Sequence, residues 1–458
     1  MTVACSSRYG NEAICISSLP VRPDRRRPSP VAHTFQPPRV GALPWRSCPC
    51  HDARRGLRSG EGHIVRIPRT RTLVGGMILG LMAVGAVAAP PAPAPARATA
   101  DSIQASRLTS TQTSTQATEQ AAQNPANAPK NTASSLPSSF TWSSSGPLIS
   151  PKPDATHPIV SVKDPTVFRY KDKWHVYATT ANTSGAWSLA YTSFADWSQA
   201  ASAPQTFLDT NPNIGNRYAA APQVFYFAPQ KLWYMVYQTG PPSFSTTTDP
   251  MRPESWSAPR TFMETEPPVV TQNKGNGAWL DFWVICDKTD CYLFFSDGNG
   301  HQYRSRTTVA EFPNGFRDTT IVLSEPNRFD LFEAGNVYRL GHSGRYLMLV
   351  EALATQSDWR RYFRAWTADS LGGAWKPLAD TEANAFARSS NVTFAPGVPA
   401  WTKDFSHGEM IRDGVDQTLT IDPCRLQYLY QGMDPGASGD YSQLPWRLGL
   451  LTQTNSAC

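Results

Sequence analysis

Asp164-Pro-Thr-Val-Phe-Arg-Tyr170, Lys171-Asp-Lys173 and Trp174-His-Val-Tyr-Ala178 read as strand, polar turn and strand. Apolar and β-branched residues alternate on either side of a short charged connection, the pattern of an antiparallel hairpin. The same unit recurs along the chain. Pro222–Phe227 turns through Ala228–Lys231 into Trp233–Tyr237, and Leu280–Ile285 turns through Asp287–Asp290 into Tyr292–Phe295. Phe332–Tyr338 turns through Gly341–Gly344 into Tyr346–Val350, and Gln417–Ile421 turns through Asp422-Pro423 into Leu426–Tyr430. Five similar hairpins in succession predict an all-β fold, a five-bladed β-propeller. A β-sandwich or β-helix would not require such equal units.

Aligned by their turns, the first four units open their first strands with Asp164, Gln223, Asp281 and Glu333. In a propeller the innermost strands surround the axis, so these positions are expected to converge on one mouth. Three are acids, each among apolar neighbours such as Val162, Leu280 and Phe332. Burying several carboxylates together raises the pKa of at least one of them. Such a set suits glycoside hydrolysis, in which a protonated carboxyl donates to the leaving oxygen and an ionised one acts on the other face of the sugar. Acids satisfied by backbone N–H groups and Arg are the structural alternative.

Outward from the hairpins, residues 138–458 hold 13 of the 14 Trp and form the expected propeller domain. Residues 90–137 are Pro/Ala-rich, then Ser/Thr/Gln-rich, a linker without the large apolar residues of a core. Residues 73–89 (LVGGMILGLMAVGAVAA) follow Arg66, Arg69 and Arg71 and end in Ala-Val-Ala, the order of a secretory signal peptide. That segment lies far from residue 1, so initiation nearer Val65 or Met77 is expected; a retained signal anchor is the alternative. Residues 1–72 are a basic leader with 13 Arg and four acids, and the other 386 residues carry a net charge of −3. The overall +6 therefore belongs to the leader and does not indicate a nucleic-acid partner.

Cys286 and Cys291 flank one turn and could bridge its strands, and Cys424 could tie down Cys458. Both fit an exported protein, and neither spacing resembles a zinc site. No phosphate-binding Gly loop and no G-x-S-x-G elbow is present.

The motifs SVKDPTVF (161–168), WHVYATT (174–180), FADWSQAASAPQTFLD (194–209), RYAAAPQVFYFAPQ (217–230), WLDFWVICD (279–287), FEAGNVY (332–338), SHGEMIRDGVDQTLTID (406–422) and LPWRLGLLTQ (444–453) closely resemble glycoside hydrolase family 62. The resemblance spans residues 138–458. It implies a five-bladed propeller and an inverting α-L-arabinofuranosidase that removes arabinofuranosyl branches from arabinoxylan; with the signal segment, a secreted one. Asp164 would be the general base, Glu333 the general acid, and Asp281 would tune the acid and orient the sugar. Inversion would separate Asp164 and Glu333 by about 6.5–9.5 Å.

The resemblance further implies that Lys163, Gln223 and Arg412 grip sugar hydroxyls, that Trp187 packs on a sugar face, and that Asn336 supports the site. Tyr441 would line the xylan subsites, with Ser442 where many relatives have Asn. His407 would lie near one structural Ca²⁺ on the axis, with water completing its shell. The partner is the polysaccharide, with no nucleic acid and no stable membrane association after cleavage, and the enzyme is expected to be a monomer. A family 43-like β-xylosidase or arabinanase, or a non-catalytic carbohydrate-binding propeller, are the competing functions.

Overall fold

The computed structural model describes residues 136–458. The leader, the apolar segment 73–89 and the linker up to residue 135 lie outside the described residues. The described part is nearly all β, with one short α-helix, Pro268–Asn273, among its strands. Five sheets, each built around an antiparallel meander, follow one another as the blades of a propeller.

Blade one runs from its inner to its outer strand as Ile159–Tyr170, Lys173–Asn182, Trp187–Phe194 and Thr206–Phe207. Its first turn places Lys171 and Asp172 at φ 47° and 60°, the paired left-handed conformation whose twist suits a two-residue hairpin. Blade two is built from Ala220–Phe227, Leu232–Gln238, Pro242–Thr247 and Arg260–Thr261. Blade three comprises Leu280–Cys286, Asp290–Ser296, His301–Thr308 and Arg317–Ser324. Its hairpin carries the Cys286–Cys291 disulfide between directly paired residues. Blade four has Glu333–Leu340, Arg345–Leu353, Arg361–Ala368 and Lys376–Ala379.

The fifth blade departs from the sequence reading. Its inner strand is Ser406–Met410, paired with Gln427–Gly432. The expected strand around Gln417–Ile421 instead contributes Thr420–Ile421, which lies parallel to Arg339–Leu340 on the edge of blade four. The apolar alternation there was real, but it serves a strand that staples two blades together. Blade five is finished from the far end of the domain: Trp142–Ser144 pairs antiparallel with Arg447–Gln453 and parallel with Val392–Phe394. The Trp142 indole N–H also donates to the Phe386 carbonyl at 2.5 Å. The Cys424–Cys458 disulfide ties the C-terminal residue to this blade.

The hydrophobic core sits between blades. Phe225, Phe227, Tyr234, Phe244 and Phe262 of blade two meet Phe312 of blade three in one aromatic cluster. Such contacts hold neighbouring sheets face to face and leave the inner strands to line the axis.

All five inner strands break register at the same place. The breaks fall between Lys163 and Thr166, Ala220 and Gln223, Leu280 and Trp283, Glu333 and Asn336, and Ser406 and Gly408. In the first four the residue after the break is left-handed: Asp164 at φ 48°, Ala221 at 50°, Asp281 at 57° and Ala334 at 55°. Aligned on these bulges, Asp164, Ala221, Asp281, Ala334 and His407 are equivalent. Glu333 precedes that position by one residue, and Gln223 follows it by two. This corrects the alignment made from the turns: Ala221 and Ala334 stand as far from their strand ends at Phe227 and Leu340 as Asp164 stands from Tyr170, whereas Gln223 lies nearer its turn and Glu333 farther from it.

Candidate active site

The equivalent bulge residues form an upper ring around the axis. Each exposes a backbone N–H toward the preceding blade, and each N–H is bound there. Asp164 N donates to Gln431 Oε1 at 2.6 Å, Ala221 N to Thr179 Oγ1 at 2.8 Å, and Asp281 N to Gln238 Oε1 at 3.1 Å. His407 N donates to Glu351 Oε2 at 2.8 Å. Blade four breaks the pattern: Ala334 N donates to the Asp281 carboxylate at 2.8 Å. Asp281 is thereby fixed beside Glu333 by the backbone that follows that acid.

The ring brings the three predicted acids together with His407. His407 Nδ1 lies 3.4 Å from Asp164 Oδ1 and 3.9 Å from Asp281 Oδ2. Burial pushes the Asp281 carboxyl well above the usual carboxylate range, and the charges of Glu333 and Asp164 push it further. Glu333 is partly open to solvent and accepts from Arg361 Nη1 at 2.5 Å. Arg361 also binds Glu351, a fully buried carboxyl that accepts from Ser406 Oγ at 2.8 Å. Burial pushes Glu351 up to about 7, against the pull of Arg361. One guanidinium thus serves two carboxylates, and a group able to hold a proton near neutrality stands beside Glu333.

Lys163 is buried next to Asp164, with its ammonium 3.3 Å from the Trp187 ring centroid and 4.5 Å from that of Tyr441. Burial lowers it to about 8, while Asp164, Glu333 and Asp281 oppose the fall. Tyr218 and Tyr441 each lie 6.1 Å from Trp187, giving the mouth an aromatic wall. The Tyr218 hydroxyl accepts from Gln238 Nε2 at 2.6 Å, which links this wall to the Asp281 amide.

Three predicted residues are not brought to the carboxylates. Gln223 and Asn336 sit two positions further along their strands, in a lower ring with Thr166, Trp283 and Glu409. Gln223 spends its amide on the N–H and carbonyl of Val284, both at 2.8 Å, and Asn336 Oδ1 accepts from the Tyr428 hydroxyl at 3.3 Å. Arg412 is fully buried and donates to the Val167 and Val224 carbonyls at 3.1 and 2.8 Å. Conversely, Glu351, Arg361, Tyr218 and Gln238 escaped the sequence reading. Glu351 could be found only through strand pairing, since it lies directly opposite Glu333.

His407 supplies a nitrogen that already faces two carboxylates, and calcium takes six to eight oxygen ligands. Among the described residues, no three His, Cys, Asp or Glu side chains are grouped to hold a metal. The protein side chains alone do not build a calcium shell, and no chemical step need pass through one. What remains is a cluster of acids with one Lys, one Arg and an aromatic wall, a set suited to acid–base chemistry on a neutral sugar.

Comparison with known proteins agrees. The profile described as Glycosyl hydrolase family 62 matches residues 141–452. Alpha-L-arabinofuranosidase C of Cellvibrio japonicus (strain Ueda107) is 45% identical over 320 residues, 69% of this chain and 47% of that protein. The chain therefore spans about half the length of this curated relative. Among solved structures, the catalytic domain of a Coprinopsis cinerea GH62 α-L-arabinofuranosidase is 56% identical, with a TM-score of 0.68 over 70% of this chain and 100% of that one. An α-L-arabinofuranosidase from Podospora anserina, in complex with cellotriose, is 50% identical, with a TM-score of 0.67 over 70% and 99%.

Proposed function

Because this chain belongs to glycosyl hydrolase family 62, we propose that it is an α-L-arabinofuranosidase that removes arabinofuranosyl branches from arabinoxylan with inversion. The observation that carries this reading is the convergence of Asp164, Asp281 and Glu333 at one mouth around His407 and Arg361.

Glu333, reached from solvent, protonates the xylosyl oxygen as the bond to arabinose breaks. Asp164, on another blade, takes a proton from the water that attacks the opposite face of the sugar. Asp281, held by the Ala334 amide, places a third carboxyl within reach of both charges. Burial and the charges of Glu333 and Asp164 push this carboxyl up, so it resists adding a further negative charge to the site. Arg361 fixes the orientation of Glu333. Lys163, Trp187 and Tyr441 form the wall against which the sugar is held.

The test is incubation of the full chain with wheat arabinoxylan, followed by NMR. Free arabinose appearing first as the β-anomer supports the proposal. Xylose or arabino-oligosaccharides would replace it with a family 43-like activity, and retention of the polymer without any released sugar would leave a binding propeller.

Export and cleavage after the 73–89 segment is part of the proposal, supported by two disulfides that suit an oxidising compartment. N-terminal sequencing of the secreted protein tests it, and a mature start before Leu73 would refute it. Calcium at His407 is proposed as an ion held largely by water. A Tm lowered by EDTA supports it, and an unchanged Tm removes it. A monomer in solution, read by light scattering, completes the proposal.

A further inference from the structure

Among the described residues, the large hydrophobic side chains left exposed are Tyr218, at 45%, and Trp359, at 56%. They stand on different blades. Tyr218 reaches the Asp281 amide through Gln238. Trp359 belongs to the turn between Arg345–Leu353 and Arg361–Ala368 of blade four. The first of these strands carries Glu351 and the second opens with Arg361, so the turn rises from the mouth itself.

We propose that Trp359 is an aromatic platform for the polysaccharide main chain as it leaves the cleft over blade four; this rests on the arabinoxylan reading above. Two residues of chain span at most about 7 Å, so Trp359 stands close enough to Arg361 and Glu333 for one polymer to touch all three. Its backbone is left-handed, at φ 59°. A bulky side chain in that conformation is an outlier.

The turn around it is not loose. Trp359 N donates to Ala354 O at 2.9 Å, and Ser357 Oγ to Glu382 Oε1 at 2.6 Å. Arg360 Nη1 and Arg361 N both bind the Asp404 carboxylate, at 3.0 and 3.1 Å. One edge contact with Phe329, at 5.4 Å between centroids, steadies the indole while most of it faces water. A rigid, strained turn that holds an indole in water beside a sugar-cleaving site presents an apolar ring, at little entropic cost on binding, to the C–H face of a pyranose.

The test compares kcat/KM on wheat arabinoxylan with kcat/KM on an aryl α-L-arabinofuranoside, which has no main chain. Trp359→Ala is expected to lower the ratio of polymer to small substrate about five-fold, through KM on the polymer, as the loss of one stacked ring requires. Trp359→Phe should keep at least half of the ratio. A ratio within about two-fold of the parent for Trp359→Ala overturns the platform. If the parent releases no arabinose from either substrate, the arabinofuranosidase reading is what fails. Mobility in native gels containing arabinoxylan then decides the platform: faster migration of Trp359→Ala supports it, and equal migration overturns it.

Discussion

Two rings of side chains, a few residues apart on the same five strands, have opposite characters. In the lower ring the polar side chains are largely consumed by neighbouring blades. Glu409 binds Thr166 Oγ1 at 2.5 Å and Val167 N at 2.9 Å, Thr166 Oγ1 accepts from Val224 N at 3.0 Å, and Gln223 clamps Val284. Trp283 donates to Val337 O at 2.9 Å, and Met410 N closes the circle on the Tyr338 hydroxyl at 3.0 Å. In the upper ring the backbone is bound in the same cyclic way, but the side chains of Asp164, Asp281 and His407 turn on one another. The difference teaches that one strand can lock the blades with one residue and offer chemistry with its neighbour, provided a bulge separates the two.

The comparison can be broken first at the upper ring. Asp164→Ala and Glu333→Gln should each lower kcat by about 10²–10⁴-fold, as expected for loss of a positioned acid or base. Their Tm should stay near that of the parent. Arabinose release and thermal unfolding measured together would show whether the upper ring is chemical and not merely structural.

The lower ring should respond the other way. Glu409→Ala removes the partner of Arg412, 2.8 Å away, and strands a buried cation. A loss of about 3–5 kcal/mol in stability is expected, read as a lower denaturant midpoint, with specific activity per folded molecule retained. A large fall in kcat at full stability would erase the distinction between the rings.

Glu351 sharpens the boundary, because it holds the His407 amide of the upper ring from the second strand of blade four yet is buried like the lower ring. Its folded pKa of about 7 lies above the ordinary 4.5, so between these values the folded state holds a proton that the unfolded state has lost. Its stabilising contribution is therefore complete below about pH 4.5 and is lost as pH rises through about 7, a swing of up to about 3 kcal/mol. Tm measured across that window should decline, and Glu351→Gln should flatten the decline. The smallest effect belongs to Gln223→Ala: two hydrogen bonds lost in the lower ring, about 1–3 kcal/mol, and little change in KM. A large rise in KM would return Gln223 to the sugar site.

Much of this was legible in the residues. Four hairpins announced themselves because turn chemistry and alternation coincide, as at Lys171-Asp172. The fifth did not, because Ser406-His-Gly-Glu-Met410 lacks an apolar alternation while Thr418–Ile421 has one. Asp164, Asp281 and Glu333 stood out as acids among apolar neighbours. Gln223 looked similar but sits two residues past the bulge, in the lower ring, and Arg412 lies beyond its strand, bound to Glu409 of that ring and to the Val167 and Val224 carbonyls. Glu351 and Arg361 were hidden for a related reason: a strand that follows a turn reveals its partner only once the register is known.

The finished fifth blade also dictates an order of events during synthesis. Trp142–Ser144 emerges from the ribosome early, but its antiparallel partner Arg447–Gln453 comes at the far end; Ser145 and Leu450, which bond across this seam, are 305 residues apart. At about 5–20 residues per second, an early strand waits roughly 15–60 s for its mate. Four blades can gather during that interval, but the ring stays open until the last strand arrives. A nascent chain stalled before Arg447 would therefore leave Trp142–Ser144 with its parallel partner Val392–Phe394 alone and one edge open, a ready handle for chaperones or for a second unfinished copy.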